Sequence, residues 1–524
     1  MKTTDSFEPF SAAETKLLET CSIPDRTTLG NGEKPNEAQD DNSIRADLIR
    51  HLLLETDPKH PLHPKGMRLR GAYIQGALDL QGCDLSHDIS LSYCHLSDEI
   101  NLVNTQLRGL HISACALHGM AADNSRFNGS FYLRNESHSA GEISLAGATV
   151  EGDLQLCGAV IIAKGQDAVF APSLEVQGSV FLGNYPYGDG ITSLRCEGQV
   201  FLSSARIAHD FFVTNTAIMT NSEILGAPVF GATEEHGRDI ALSLARARVG
   251  GILFFQDNQI TRGIVNLAGA NVARLRDEPA GPGANYPIRL DGFRYNDFSR
   301  HTDTSLATRL EWLERKPEDM PFTAQPYEHL ADVLRSLGHR TDATGVLIRK
   351  EMLLRAENRR LIESSGGTWL TRGLRAVADG FLRITVGYGY KPGRAVVIAL
   401  VLITGLGLFF DKTWHAGDMT PNAAPILTSA PWIAATQSHP ENPSAFWASV
   451  GQAGQDYETF NGFAYAADLV IPLVTLGQEN AWAPSTSRSP LGRVGWWLRW
   501  IAMGLGWVVT ALLAAAITGV IRQE

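Results

Sequence analysis

Cysteine is scarce and scattered in this chain. Cys21, Cys83, Cys94, Cys115, Cys157 and Cys196 include no CxxC pair. That dispersal excludes the usual zinc, haem-attachment and thioredoxin-type patterns and suits reduced, mostly buried thiols that pack as small hydrophobes. No P-loop or HExxH occurs, and no GxGxxG lies between a strand and a helix. The fifteen histidines, among them His51, His60 and His63 in RHLLLETDPKHPLH, show no metal-ligand spacing. No catalytic, cofactor-binding or metal-binding residue is therefore assigned, and no cofactor is expected. A net charge of −11 argues against a dedicated nucleic-acid binder, which needs clustered Lys and Arg, and leaves room for a locally basic patch. The opening MKTTDSFEPFSAAETKLL has no apolar run of signal-peptide length, so the N-terminal part is expected in the cytoplasm.

Glycine, at 50 residues, points to a turn repeated many times. Residues 1–42 end in the polar PDRTTLGNGEKPNEAQDDNS and read as a flexible N-terminal segment. Residues 43–66 read as a helical cap, with Ser43 as N-cap and Ile44, Leu48, Leu52 and Leu53 on one face. From Met67 the hydrophobic residues recur. Ile74, Leu85, Leu96 and Leu107 are each eleven apart, as are Leu80, Leu91 and Leu102, and Leu78, Ile89 and Ile100. Local alternation as in ALDLQ has period two and marks short strands, with small residues at the corners. The expected fold over 67–300 is thus a mainly β solenoid, a right-handed β-helix of pentapeptide-like type with two ten- to eleven-residue units per coil. The alternative is a β-sandwich with frequent turns.

Helical periodicity takes over in 301–364. Tyr327, Leu330, Leu334 and Leu337 form one stripe, and Ala343, Val346, Leu347 and Met352 another, with Gly338 between them as a C-terminal cap. Residues 365–394 set Leu370, Leu374, Val377, Phe381 and Ile384 on one face, apart from Arg372, Arg375 and Arg383. This predicts an amphipathic helix on the inner leaflet, followed by a turn; a soluble packing helix is the alternative. The turn holds Thr385-Val386-Gly387-Tyr388-Gly389, the string that lines potassium-channel filters. A filter must follow a pore helix between two spans, and here the string precedes both.

Transmembrane helices are expected at 395–410 and 500–521, enough to cross about 30 Å of hydrocarbon in the second case and shorter in the first. Arg372, Arg375, Arg383, Lys391 and Arg394 precede the first span, while Arg488, Arg493 and Arg499 precede the second. Together with the missing signal run, this predicts a multi-pass protein of the bacterial inner membrane with both termini cytoplasmic and 411–499 as an external loop. Within that loop the apolar stretch 460–483 carries Asp468 and Pro472. It reads either as re-entrant, making Asp468 a candidate membrane-site residue, or as an external helix packed on the span ends.

LRGAYIQGALDLQG, LDGFRYNDF, QPYEHLADVLRSLGHRTDA, VGYGYKPGRA, DLVIPLVTLGQENAW and AAAITGVIRQE together resemble bacterial membrane proteins with an N-terminal pentapeptide-repeat-like β-helix, some of them labelled membrane-associated oxidoreductase. The resemblance runs from about residue 43 onward and implies an architecture. Its label implies a redox activity, for which the chain carries no motif. The primary expectation is a membrane-anchored binding or scaffold module, with the lipid bilayer and a protein bound on the repeat surface as partners. A third expectation is a homo-oligomer conducting cations past Asp468, with Gly504, Gly506 and Gly519 allowing close helix approach.

Overall fold

The computed structural model describes residues 4–54, 59–163, 165–188, 190–219, 240–281, 283–318, 320–364 and 380–518. The chain divides into two compact units, 1–350 and 351–524.

The first unit is built on three parallel sheets of 16, 9 and 9 strands. The chain visits them in turn. Met67–Arg70 lies in the first sheet, Tyr73–Gln75 in the second and Leu78–Asp79 in the third, before Asp88–Ser92 returns to the first. Inward residues form ladders such as Leu69, Leu91, Ile112 and Leu133, each at most 1% exposed. Each such side chain contributes about 1.5–3 kcal/mol through removal from water. Corners need left-handed backbone. Gly82, Asn104, Asn124, Gly147, Ser173 and Ser204 take up positive φ at successive passages, and Gly and Asn do so at least cost.

The expected right-handed pentapeptide-like β-helix is corrected to these three parallel sheets. Two observations overturn it. Ladder partners stand 21 residues apart at Leu91 and Ile112 but 42 apart at Phe211 and Leu253, so no single repeat holds. Strands run from two residues, Leu78–Asp79, to nine, Arg248–Gln256. The eleven-residue rows also divide between sheets: Ile74 pairs with Leu96 in the second, whereas Leu107 belongs to the first. All strand pairs of this unit are parallel, which separates the fold from a sandwich as well.

Order begins earlier than the sequence suggests. Ser11 caps a helix at Ala12–Thr20 with a reciprocal bond from Glu14, and Thr27–Thr28 pairs with Leu69 and Arg70. Ser43 lies in a strand rather than capping a helix, and Arg45 stands at the start of Ala46–Leu53. At the other end, Arg309 of helix Leu306–Glu314 is fully buried. It donates to both carboxylate oxygens of Asp277, at 2.7 and 2.9 Å, and to the carbonyl of Asp303. Helices Gln325–Ser336 and Arg340–Ser364 follow, with Gly338 at φ 89° between them.

The second unit contains two helices long and apolar enough to cross a membrane. They are Gly393–His415, of mean hydropathy 2.2, and Pro490–Ile517, of mean hydropathy 2.0. Between them the chain packs an aromatic core of Trp432, Trp447, Trp482 and Tyr465 around Met419. A two-stranded antiparallel ribbon, Met419–Pro421 with Trp482–Pro484, ties its ends together.

Candidate functional site: a polar groove and a buried carboxylate

In the first sheet, along the strands at Glu175–Val176, Arg206–Ile207, Arg248–Gln256 and Asn271–Asp277, outward residues alternate with a buried row of Val176, Ile207, Val249 and Val272. One outward row runs Thr149, Glu175, Arg206, Arg248, Asn271 and Arg294 in ladder register. Two positions further along each strand the side chains are Ala208, Gly250 and Ala273. Small residues beside long ones leave a groove of about 500 Å³, lined also by Gln177 and Asn296. Gly250 is required by close approach: a Cβ there would lie 2.2 Å from the carbonyl oxygen of Ala208. Arg206 reaches Glu175 at 3.2 Å, both well exposed. Its ladder neighbour Arg248 has no carboxylate within ion-pair distance among the described residues. Two adjacent guanidinium groups against one carboxylate leave the rim cationic on an acidic chain.

Elsewhere in the first sheet a second register row runs His111, Tyr132, Gln155, Phe181, Phe212 and Phe254, with Gln155, Phe181 and Phe212 buried. Parallel register sets these side chains about 4.8 Å apart, the distance at which rings stack. His111 stacks on Tyr132 at 4.8 Å, and Phe212 stacks on Phe181 and Phe254 at 4.8 and 4.2 Å. The row was not anticipated, because residues 21 to 42 apart gave no local pattern.

The thiols pack inside. Five are buried and Cys83 is half-buried. Burial pushes Cys157 up to about 12 and raises Cys196 as well, so neither ionises readily. Among the described residues no group of three or more His, Cys, Asp or Glu side chains is placed to hold a metal ion.

Asp468 sits in helix Gly462–Val470 and is 9% exposed. Its Oδ1 accepts the backbone N–H of Leu476, and its Oδ2 accepts that of Glu479 at 3.1 Å. Both oxygens are thus committed to holding the chain where it reverses after Pro472. Gln478 closes the neck of this hairpin. It donates to Glu458 and Thr459 at 2.9 and 2.8 Å and accepts from the Asn461 backbone at 2.9 Å. Gly506 faces the end of the 462–470 helix, whereas Gly504 meets nothing and Gly519 lies outside the described residues.

Thr385 to Lys391 form a tight turn, with Lys391 donating its N–H to the Val386 carbonyl at 3.0 Å and both Val386 and Tyr388 buried. Of the amphipathic segment, 380–385 is helical; Leu370, Arg372, Leu374, Arg375 and Val377 lie outside the described residues. No family model, no curated protein and no solved structure matches this chain.

Proposed function

We propose that the chain is a membrane-anchored binding module whose parallel-sheet unit takes an extended acidic segment of a partner protein in the Arg206–Arg248 groove. The observation that carries this reading is the groove itself. Its rim is cationic, its floor is small-residue backbone, and it runs across several strands. An extended chain with carboxylates spaced along it matches that form. In this reading both apolar helices cross a bacterial inner membrane, and the ends of the chain lie in the cytoplasm. Arg383 and Lys391 ahead of the first helix and Arg394 in its first turn support that orientation, since cytoplasmic flanks are rich in Lys and Arg.

A fluorescein-labelled oligoglutamate peptide serves as probe for the full chain in lipid nanodiscs. Fluorescence anisotropy should show binding that weakens as salt rises, and Arg206→Ala with Arg248→Ala should weaken it at least tenfold. Absence of binding at low salt, or binding indifferent to the double substitution, would overturn the reading.

A further inference from the structure

The hairpin around Asp468 packs on both apolar helices at positions inside their apolar stretches. Gly407 of the first faces Phe463, where an added Cβ would lie 2.5 Å from the ring and 3.1 Å from its Cα. In return, a Cβ at Gly462 would lie 2.6 Å from the Gly407 carbonyl oxygen. Gly506 of the second helix meets the far end, with a Cβ there 2.6 Å from the carbonyl oxygen of Val470 and 2.8 Å from that of Leu469. At 1.5 Å per residue, Gly407 stands about 5 Å inside Phe410, and Gly506 about 9 Å inside Trp500.

The tip beyond these contacts is apolar and open. Leu473 is 75% exposed, Val474 and Leu476 49%, and Ile471 36%. In water such a cluster is unfavourable; in hydrocarbon the cost falls instead on broken backbone, whose N–H groups find no solvent partner. The tip meets that second requirement at four of its N–H groups, while among the described residues those of Leu473, Thr475 and Gly477 have no acceptor in the chain. Pro472 has no N–H. Ile471 and Val474 donate to Ala467 and Ile471 carbonyls at 2.8 and 3.1 Å, and Leu476 and Glu479 donate to Asp468. A carboxylate accepting two backbone N–H bonds replaces the water that the reversal would otherwise need.

From this we infer that residues 461–479 form a wedge inserted into the outer leaflet, with Ile471, Leu473, Val474 and Leu476 among lipid acyl chains and Asp468 holding the reversal together. The inference rests on the two-span reading and does not involve the groove. Lipid is the occupant because the wedge is seated between two membrane-length helices at the depth of their apolar segments.

The test uses the full chain with Cys83→Ser, the five other thiols being buried, and the parent must stay unlabelled by an environment-sensitive maleimide fluorophore. Leu473→Cys, Leu400→Cys in the first apolar helix and Val450→Cys on the loop surface are labelled separately. Each is reconstituted into phosphatidylcholine–phosphatidylglycerol vesicles. Bromine on the acyl chains should quench positions 473 and 400 at least twofold, and aqueous iodide should quench 450 alone. Quenching of 473 by iodide, with 400 still quenched by bromolipid, overturns the wedge and leaves the spans standing. Failure at 400 overturns the two-span reading itself. Asp468→Asn, which has one acceptor oxygen for two N–H groups, should halve the bromolipid quenching at 473 and leave 400 unchanged. Unaltered quenching at 473 would remove Asp468 from the account.

Discussion

The two units place their hydrophobic side chains in opposite ways. In the sheet unit, Leu69, Leu91, Ile112 and Leu133 point inward and are almost wholly hidden, while Arg206, Arg248 and Glu175 face out. In the second unit the apolar helices bury only 17% and 22% of their most hydrophobic windows, leaving Val401, Leu408, Trp497 and Trp507 each about 60% exposed or more. Close glycine-to-backbone approaches occur in both. The difference lies in the solvent each surface suits. One unit is sorted for water, and the other is sorted for hydrocarbon wherever its helices are long enough to cross it.

That contrast is broken most severely where a charge is buried in the water-sorted unit. Asp277→Ala leaves Arg309 buried without a counter-charge, and should cost about 3–5 kcal/mol. Circular dichroism melts of the detergent-solubilised chain should show the β signal lost at a markedly lower temperature; an unchanged melt would mean that the pair does not hold the end of the sheets.

A paired substitution sharpens the comparison next. Leu133→Ala should destabilise the β signal by about 2–5 kcal/mol, because its neighbours cannot close the cavity. Leu400→Ala, at a position 58% exposed on the first apolar helix, should leave the same melt unchanged. Equal effects would contradict the opposite sorting of the two units.

The smallest effect concerns Glu14. Burial raises its carboxyl pKa, but hydrogen bonds from Arg45 and Ser11 and the Arg45 charge outweigh this and hold it below the ordinary 4.5. With the folded value below the unfolded one, ionised Glu14 stabilises the fold above the unfolded value. That contribution is lost as pH falls through the folded value. Glu14→Gln should lower the melting temperature at neutral pH and flatten its decline toward acid; parallel pH profiles would contradict this.

Individual elements were legible where one periodicity dominates. AVVIALVLITGLGLFF lies within the helix Gly393–His415, and the alternation that places Ile89 and Leu91 on one face marks a strand. The sheet arrangement was not legible, because equal eleven-residue spacing hid residues that belong to different sheets, as Ile74 and Leu107 do. Helix Ala12–Thr20 was missed because its apolar stripe is weak, although Ser11 and Glu14 stand at the capping-box spacing in the sequence. Asp468 stood out in sequence as a carboxylate in an apolar stretch, but its partners are backbone N–H groups, which carry no sequence signal. The groove depends on Ala208, Gly250 and Ala273 lying side by side, a relation that only strand register creates.

The proposed arrangement, in which the sheet unit stays on one side of a membrane that the two apolar helices cross, is tested most directly by thiol accessibility in intact cells. All six native cysteines precede residue 197, and Cys83 is half-buried. Val450→Cys adds a thiol at a position 96% exposed between the two apolar helices. A membrane-impermeant maleimide should label position 450 in intact cells, and Cys83 only after the membrane is permeabilised. Labelling of both without permeabilisation, or of neither until it, would place the two units on the same side and contradict the account.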